Sequence, residues 1–164
     1  MDSKERGHLV VTSPVFDHEG EIPSRYTCDG DNINPPLVID QIPKDAVSLA
    51  IIMEDPDAPD GTFVHWLCWN IPPKPGISEN ANPGINGVNG KGKTGYHGPC
   101  PPSGTHRYFF YVYALDTAFD LSPQTDKEVF FSLIEPHILA EGTLLGLYGQ
   151  FSNAEKREHQ LEAH

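Results

Sequence analysis

Sixteen prolines and fifteen glycines are spread along 164 residues, and they cut the chain into apolar runs too short for ordinary helices. The runs are Leu9–Thr12, Leu37–Ile39, Val47–Met53, His65–Ile71, Arg107–Leu115 and Leu144–Phe151. They are rich in β-branched and aromatic residues and lie between turn signals, so they read as strands. Within Tyr108-Phe109-Phe110-Tyr111-Val112-Tyr113-Ala114-Leu115 both alternating faces are apolar, which predicts a central strand covered on both sides. The expected class is mostly β, a β-sandwich with a few short peripheral helices. A length of 164 residues suits one domain, placed at 1–152, followed by a polar tail at 153–164.

One helix start is well signalled. Thr125-Asp126-Lys127-Glu128 has the spacing of a capping box, and Val129, Phe130, Leu133 and Ile134 give an apolar face before Pro136 ends the run. Proline is tolerated in a first helical turn, so a second short helix is expected from Pro136 through Ile138 and Leu139. The stretch from Pro72 to Lys93 is long and rich in Pro, Gly and Asn, and reads as a mobile flap.

Charge narrows the partners. Lys and Arg total 11 against 23 Asp and Glu, a net of −12 with no basic stretch, which argues against nucleic acid. An anionic ligand would have to be held by local donors against a repulsive overall field, so its binding should be weak and salt-sensitive. Met1 to Thr12 offers only Leu9-Val10-Val11 as an apolar core, short of a secretory signal, and the expected location is cytoplasmic. No apolar run approaches the roughly 18 residues of a membrane span. Cys28, Cys68 and Cys100 are odd in number and widely spaced, which makes reduced thiols the default. A Cys28–Cys100 disulfide stays open, because both lie beside the segments described next.

Two segments carry the chemistry. Asp55-Pro56-Asp57-Ala58-Pro59 leads to His65-Trp66, and Gly98-Pro99-Cys100-Pro101-Pro102-Ser103-Gly104-Thr105 leads to His106-Arg107-Tyr108. Each couples a proline-stiffened turn to a histidine at the start of an apolar strand. Taken singly, each residue has a plain structural use: the carboxylates cap turn amides, and the histidines are satisfied and partly buried. Taken together, two carboxylates, two imidazoles and the main-chain N–H groups near Gly98 and Gly104 suit a small anion. Tyr96 and Tyr108 could add phenolic donors. The competing enzyme reading makes Asp55, His65 and His106 ligands of a catalytic metal, although no H-x-H or H-E-x-x-H spacing is present. A serine hydrolase is weaker still, since Gly-x-Ser-x-Gly is absent and Ser103 has no evident base.

The order Tyr26-Thr27-Cys28-Asp29-Gly30, Asn34-Pro35-Pro36-Leu37, Asp55-Pro56-Asp57-Ala58-Pro59, His65-Trp66, Gly95-Tyr96, Gly98-Pro99-Cys100-Pro101-Pro102, His106-Arg107-Tyr108 and Tyr113-Ala114-Leu115-Asp116 resembles the phosphatidylethanolamine-binding proteins, also called Raf kinase inhibitor proteins. The resemblance runs from Val11 to Tyr148, and its Cys28 and Cys100 motifs look like the bacterial and archaeal branch. It implies a β-sandwich with a pocket for phosphate, acetate or a phosphorylated head group, acting without catalysis or cofactor. Asp55, His65 and His106 would line that pocket, Asp57 and Pro59 would support it, Gly98 and Pro99 would form a backbone rim, and Tyr108 would add a wall. It also implies modulation of a kinase or other enzyme as a function, and pairing as a homodimer. Pro136-His137 and Gly149-Gln150 depart from the family pattern.

Overall fold

The computed structural model describes residues 5–150, so the tail expected at 153–164 lies outside the described residues. The strands are β1 (Gly7–His8), β2 (Val10–Thr12), β3 (Gly20–Glu21), β4 (Leu37–Asp40), β5 (Ser48–Asp55), β6 (Phe63–Ile71), β7 (Gly76–Ile77), β8 (Ile85–Asn86), β9 (Gly104–Leu115) and β10 (Ile138–Gln150). One α-helix, α1 (Lys127–Ile134), precedes β10. A larger sheet runs β1-β10-β9-β5-β6-β8, with β3 also pairing β10, and a smaller one runs β2-β4-β7.

The two-residue periodicity of the strands divides their side chains between two apolar layers. Leu49, Ile51 and Met53 of β5 pack with Trp66 of β6, with Tyr108, Phe110 and Val112 of β9, and with Leu37 and Ile39 of the smaller sheet. Ala50 and Ile52 point the other way, into a layer with Leu67, Trp69, Phe130 and Ile134. The fold is therefore the expected sandwich, with α1 closing the outer face of the larger sheet. β9 is covered on both sides only toward its end: Tyr113 and Leu115 are buried on the outer face, whereas Arg107 is exposed. The Arg107 guanidinium lies 5.6 Å from the centre of the Phe109 ring and shields it instead.

Asp126 rather than Thr125 caps α1, its carboxylate accepting from Val129 N–H at 3.0 Å. Thr125 is held in a preceding turn, its own N–H donating to the Ser122 carbonyl. Only Phe130 and Ile134 are buried; Val129 and Leu133 are exposed, because a helix of eight residues laid on a sheet touches it along one row. Phe130 stacks on Trp69 with ring centres 5.1 Å apart. Asp126→Ala should cost about 1 kcal/mol by leaving first-turn N–H groups without an acceptor, measured as a shift in the urea midpoint.

Three expectations need correction. The second helix is a single 3-10 turn, Glu135–His137, and Ile138 already begins β10, where pairing with β9 supplies a ladder from Ile138 opposite Leu115 to Gln150 opposite Gly104. The 72–93 stretch is strapped down rather than a free flap. β7 pairs with β4 and β8 with β6, Asn34 donates to the Ser78 carbonyl, and the N–H groups of Gly87 and Gly90 donate to Leu67 and Val64 carbonyls. Cys28 and Cys100 are not reduced thiols but form a disulfide, leaving Cys68 free and buried in β6. No described helix is long and apolar enough to cross a membrane.

Candidate functional site

Asp55 ends β5, His65 stands near the start of β6, and His106 and Tyr108 stand near the start of β9. These strands are neighbours in the larger sheet, so one end of it gathers the four side chains, all facing the same way. Asp55, His65 and His106 are nearly buried and Tyr108 is fully buried. With Pro59, His97, Lys91 and Cys100-Pro101-Pro102 they line a cavity of about 240 Å³.

The polar groups are already oriented. Asp55 Oδ2 accepts from His106 Nδ1 at 2.6 Å, and Asp55 Oδ1 accepts from Asp57 N–H at 2.7 Å, so one carboxylate fixes both an imidazole and the turn that follows. His65 Nδ1 donates to the His97 carbonyl at 2.6 Å, and His97 N–H donates back to the His65 carbonyl at 2.9 Å. Nε2 of both rings has no hydrogen-bond partner among the described residues and is free to meet a ligand. Burial is the main reason that the His65 pKa falls to about 4, leaving this ring neutral at pH 7. Burial, then Lys91 and Lys93, also lower that of His97. The Tyr108 hydroxyl is buried with no partner among the described residues, and burial raises its pKa. Its ring meets that of His65 edge-on at 5.2 Å and stacks toward His106 at 6.4 Å.

A sequence model of the family described as phosphatidylethanolamine-binding protein matches residues 12–149. The chain belongs to that family. A UPF0098 protein of Methanothermobacter thermautotrophicus is 51% identical to this family member over 148 residues, 85% of this chain and 98% of the relative. A UPF0098 protein of Chlamydia muridarum is 42% identical over 152 residues, 87% of this chain and 99% of the relative. The crystal structure of a phosphatidylethanolamine-binding protein homologue from Chlamydia trachomatis superposes with a TM-score of 0.85 at 37% identity, covering 88% of this chain and 99% of that one. YbcL of E. coli, described as a member of the mammalian family, gives a TM-score of 0.81 at 24% identity over 88% of this chain and 100% of its own, a likeness in fold alone.

In this phosphatidylethanolamine-binding protein family member, five of the residues singled out from sequence, Asp55, Pro59, His65, His106 and Tyr108, border one cavity. Asp57 stands behind it. Its carboxylate accepts from the Arg107 backbone N–H and, bidentately, from the Arg107 guanidinium, each at 2.9 Å. Those hydrogen bonds lower its pKa to about 2 and tie the Asp55 turn to the start of β9. Gly98 and Pro99 are not on the cavity wall. Gly98 N–H donates to Asn32 Oδ1 at 2.8 Å and the Pro99 carbonyl accepts from Cys28 N–H, so these groups are spent on the neighbouring loop. Glycine is needed at position 98 for close approach, since a Cβ there would lie 2.5 Å from the Tyr26 carbonyl oxygen.

The rim is made instead by Cys100-Pro101-Pro102, and sequence reasoning missed Lys91 and His97. No three His, Cys, Asp or Glu side chains converge as a ligand set among the described residues.

Proposed function

We propose that this protein binds a small anionic or phosphorylated ligand in the cavity between Asp55, His65 and His106, reversibly and without chemical turnover. The observation that carries the reading is the buried Asp55–His106 pair, which orients one imidazole toward a cavity that a second imidazole and Lys91 also border. An imidazolium and an ammonium each give a charge-assisted hydrogen bond to a phosphoryl or carboxylate oxygen. Turnover is disfavoured by what else lines the cavity: no serine or threonine is there, and the Cys100 sulfur is held in the disulfide.

Titration of metal-free protein with phosphoethanolamine, followed by the histidine ring resonances, tests the reading. Saturable shifts at His65 and His106 are expected, with their loss in His106→Ala, and they should weaken with added salt because ions screen the ligand's local attraction to the cationic groups bordering the cavity. Unmoved rings in a folded protein would rule out an anion site.

A further inference from the structure

The two imidazoles of the cavity are not equivalent, and the difference bears on which phosphate fits. A carbonyl oxygen can only accept, so the 2.6 Å contact to the His97 carbonyl places the His65 proton on Nδ1. Nε2 of the neutral ring is then a lone pair without hydrogen. Burial is the largest influence and opposes the charged ring, as does the His97 imidazole, whereas the hydrogen bond to the His97 backbone, Asp55 and the Gly98 backbone favour it. Lys91, His106 and Tyr108 are the other titratable groups that border the same space.

An oxyanion stripped of all its protons would set its lone pairs against that of His65. The rest of the cavity asks for the opposite partner. The Tyr108 hydroxyl is buried and unpaired, His106 Nε2 becomes a donor when its ring is charged against Asp55, and Lys91 only donates. A ligand that satisfies every group must donate once, to His65, and accept elsewhere.

We propose that the cavity selects a phosphate that keeps one O–H, inorganic phosphate or a monoester as its monoanion, over a phosphodiester such as an intact phospholipid head group. This rests on the anion-binding reading above and specifies its ligand. The P–O–H donates to His65 Nε2, and the remaining oxygens accept from His106, Tyr108 and Lys91. A diester has no hydrogen to give and leaves His65 unpaired in a buried site, a loss that discriminates strongly.

Ethyl phosphate and dimethyl phosphate make the test on the unmodified protein, because they are isomers that differ in having or lacking the O–H. At about pH 5 a monoester, whose second pKa is about 6, is mainly a monoanion like the diester. His65, at about 4, is still mainly neutral there. Followed by histidine NMR, ethyl phosphate should bind about tenfold tighter or more. Affinities within about threefold of each other, or a tighter diester, would overturn the selectivity while leaving anion binding in place. If neither ester nor inorganic phosphate binds, the anion-binding reading fails and the selectivity with it. Tyr108→Phe adds a second readout: a several-fold loss of ethyl phosphate affinity without loss of stability, since the hydroxyl it removes has no partner in the free protein. Unchanged affinity in that variant would remove Tyr108 from the site.

Discussion

Removing the Cys28–Cys100 disulfide, by reduction or by the paired substitutions Cys28→Ser and Cys100→Ser, should lower stability by about 4 kcal/mol and leave the cavity in place. The bond closes a loop across a sequence separation of 72 residues, so on the chain-entropy account it restricts the unfolded chain heavily. The folded chain already holds the two segments together by other means. Cys28 N–H donates to the Pro99 carbonyl, Gly98 N–H to Asn32, and the Tyr96 hydroxyl to the Tyr26 carbonyl. The effect therefore falls mainly on the unfolded state, and Cys100, exposed at the rim, is open to reductant. Urea unfolding with and without reductant measures it. A loss below about 1 kcal/mol would mean that the unfolded chain is already restricted in this region. A loss of ethyl phosphate binding on reduction would mean that the hydrogen bonds alone do not hold the rim.

The strands that build the site were legible because their patterns are extreme. β5, β6 and β9 are dense in apolar residues on both faces over most of their length, and only a sheet largely covered on both sides buries such a pattern. Their ends were less legible. β5 continues to Asp55 and β6 starts at Phe63, where Asp55 pairs with Phe63, because ladder hydrogen bonds need no apolar side chain. That extension places Asp55 in a rigid strand rather than a turn. β1 and β3, two residues each, exist only as parallel partners of the β10 edge, and no local pattern announces them.

The site shows the same division. Asp55, His65 and His106 carried a signal through their side chains, but His97 positions His65 with its backbone carbonyl, which every residue possesses. Lys91 is one lysine in a loop of glycines and asparagines, brought to the cavity by the strapping of that loop onto β6. The main-chain donors expected at Gly98 were misplaced for a comparable reason: a glycine allows close approach without saying to what, and here the partner is the Tyr26–Asn32 loop. The disulfide was hidden by the odd cysteine count, since Cys68 is a core side chain of β6 and only the fold tells it from the other two.

Asp55→Ala should be the most damaging single change at the site, costing about 3 kcal/mol of stability and at least tenfold in phosphate affinity. Two losses coincide. His106 Nδ1 is left without its acceptor in a pair whose side chains are 10% and 4% exposed, and Asp57 N–H loses the carboxylate that closes the turn. The ring is then free to rotate away from the cavity, so a ligand must order it on binding. Asp55→Asn is a milder change: it removes the charge and keeps one oxygen that can accept from Nδ1–H, while its amide NH2 takes the place of the oxygen that accepts from Asp57 N–H. A stability loss smaller than that of Asp55→Ala is expected for Asn, about 1–2 kcal/mol, with binding still weakened because a neutral acceptor orients His106 less strongly than a carboxylate. Urea denaturation and phosphate titration of both variants distinguish the cases. If Asp55→Ala bound phosphate as tightly as the unsubstituted protein, the Asp55–His106 pair would be a structural element of the strand ends, and the anion would have to be held by Lys91 and the rim.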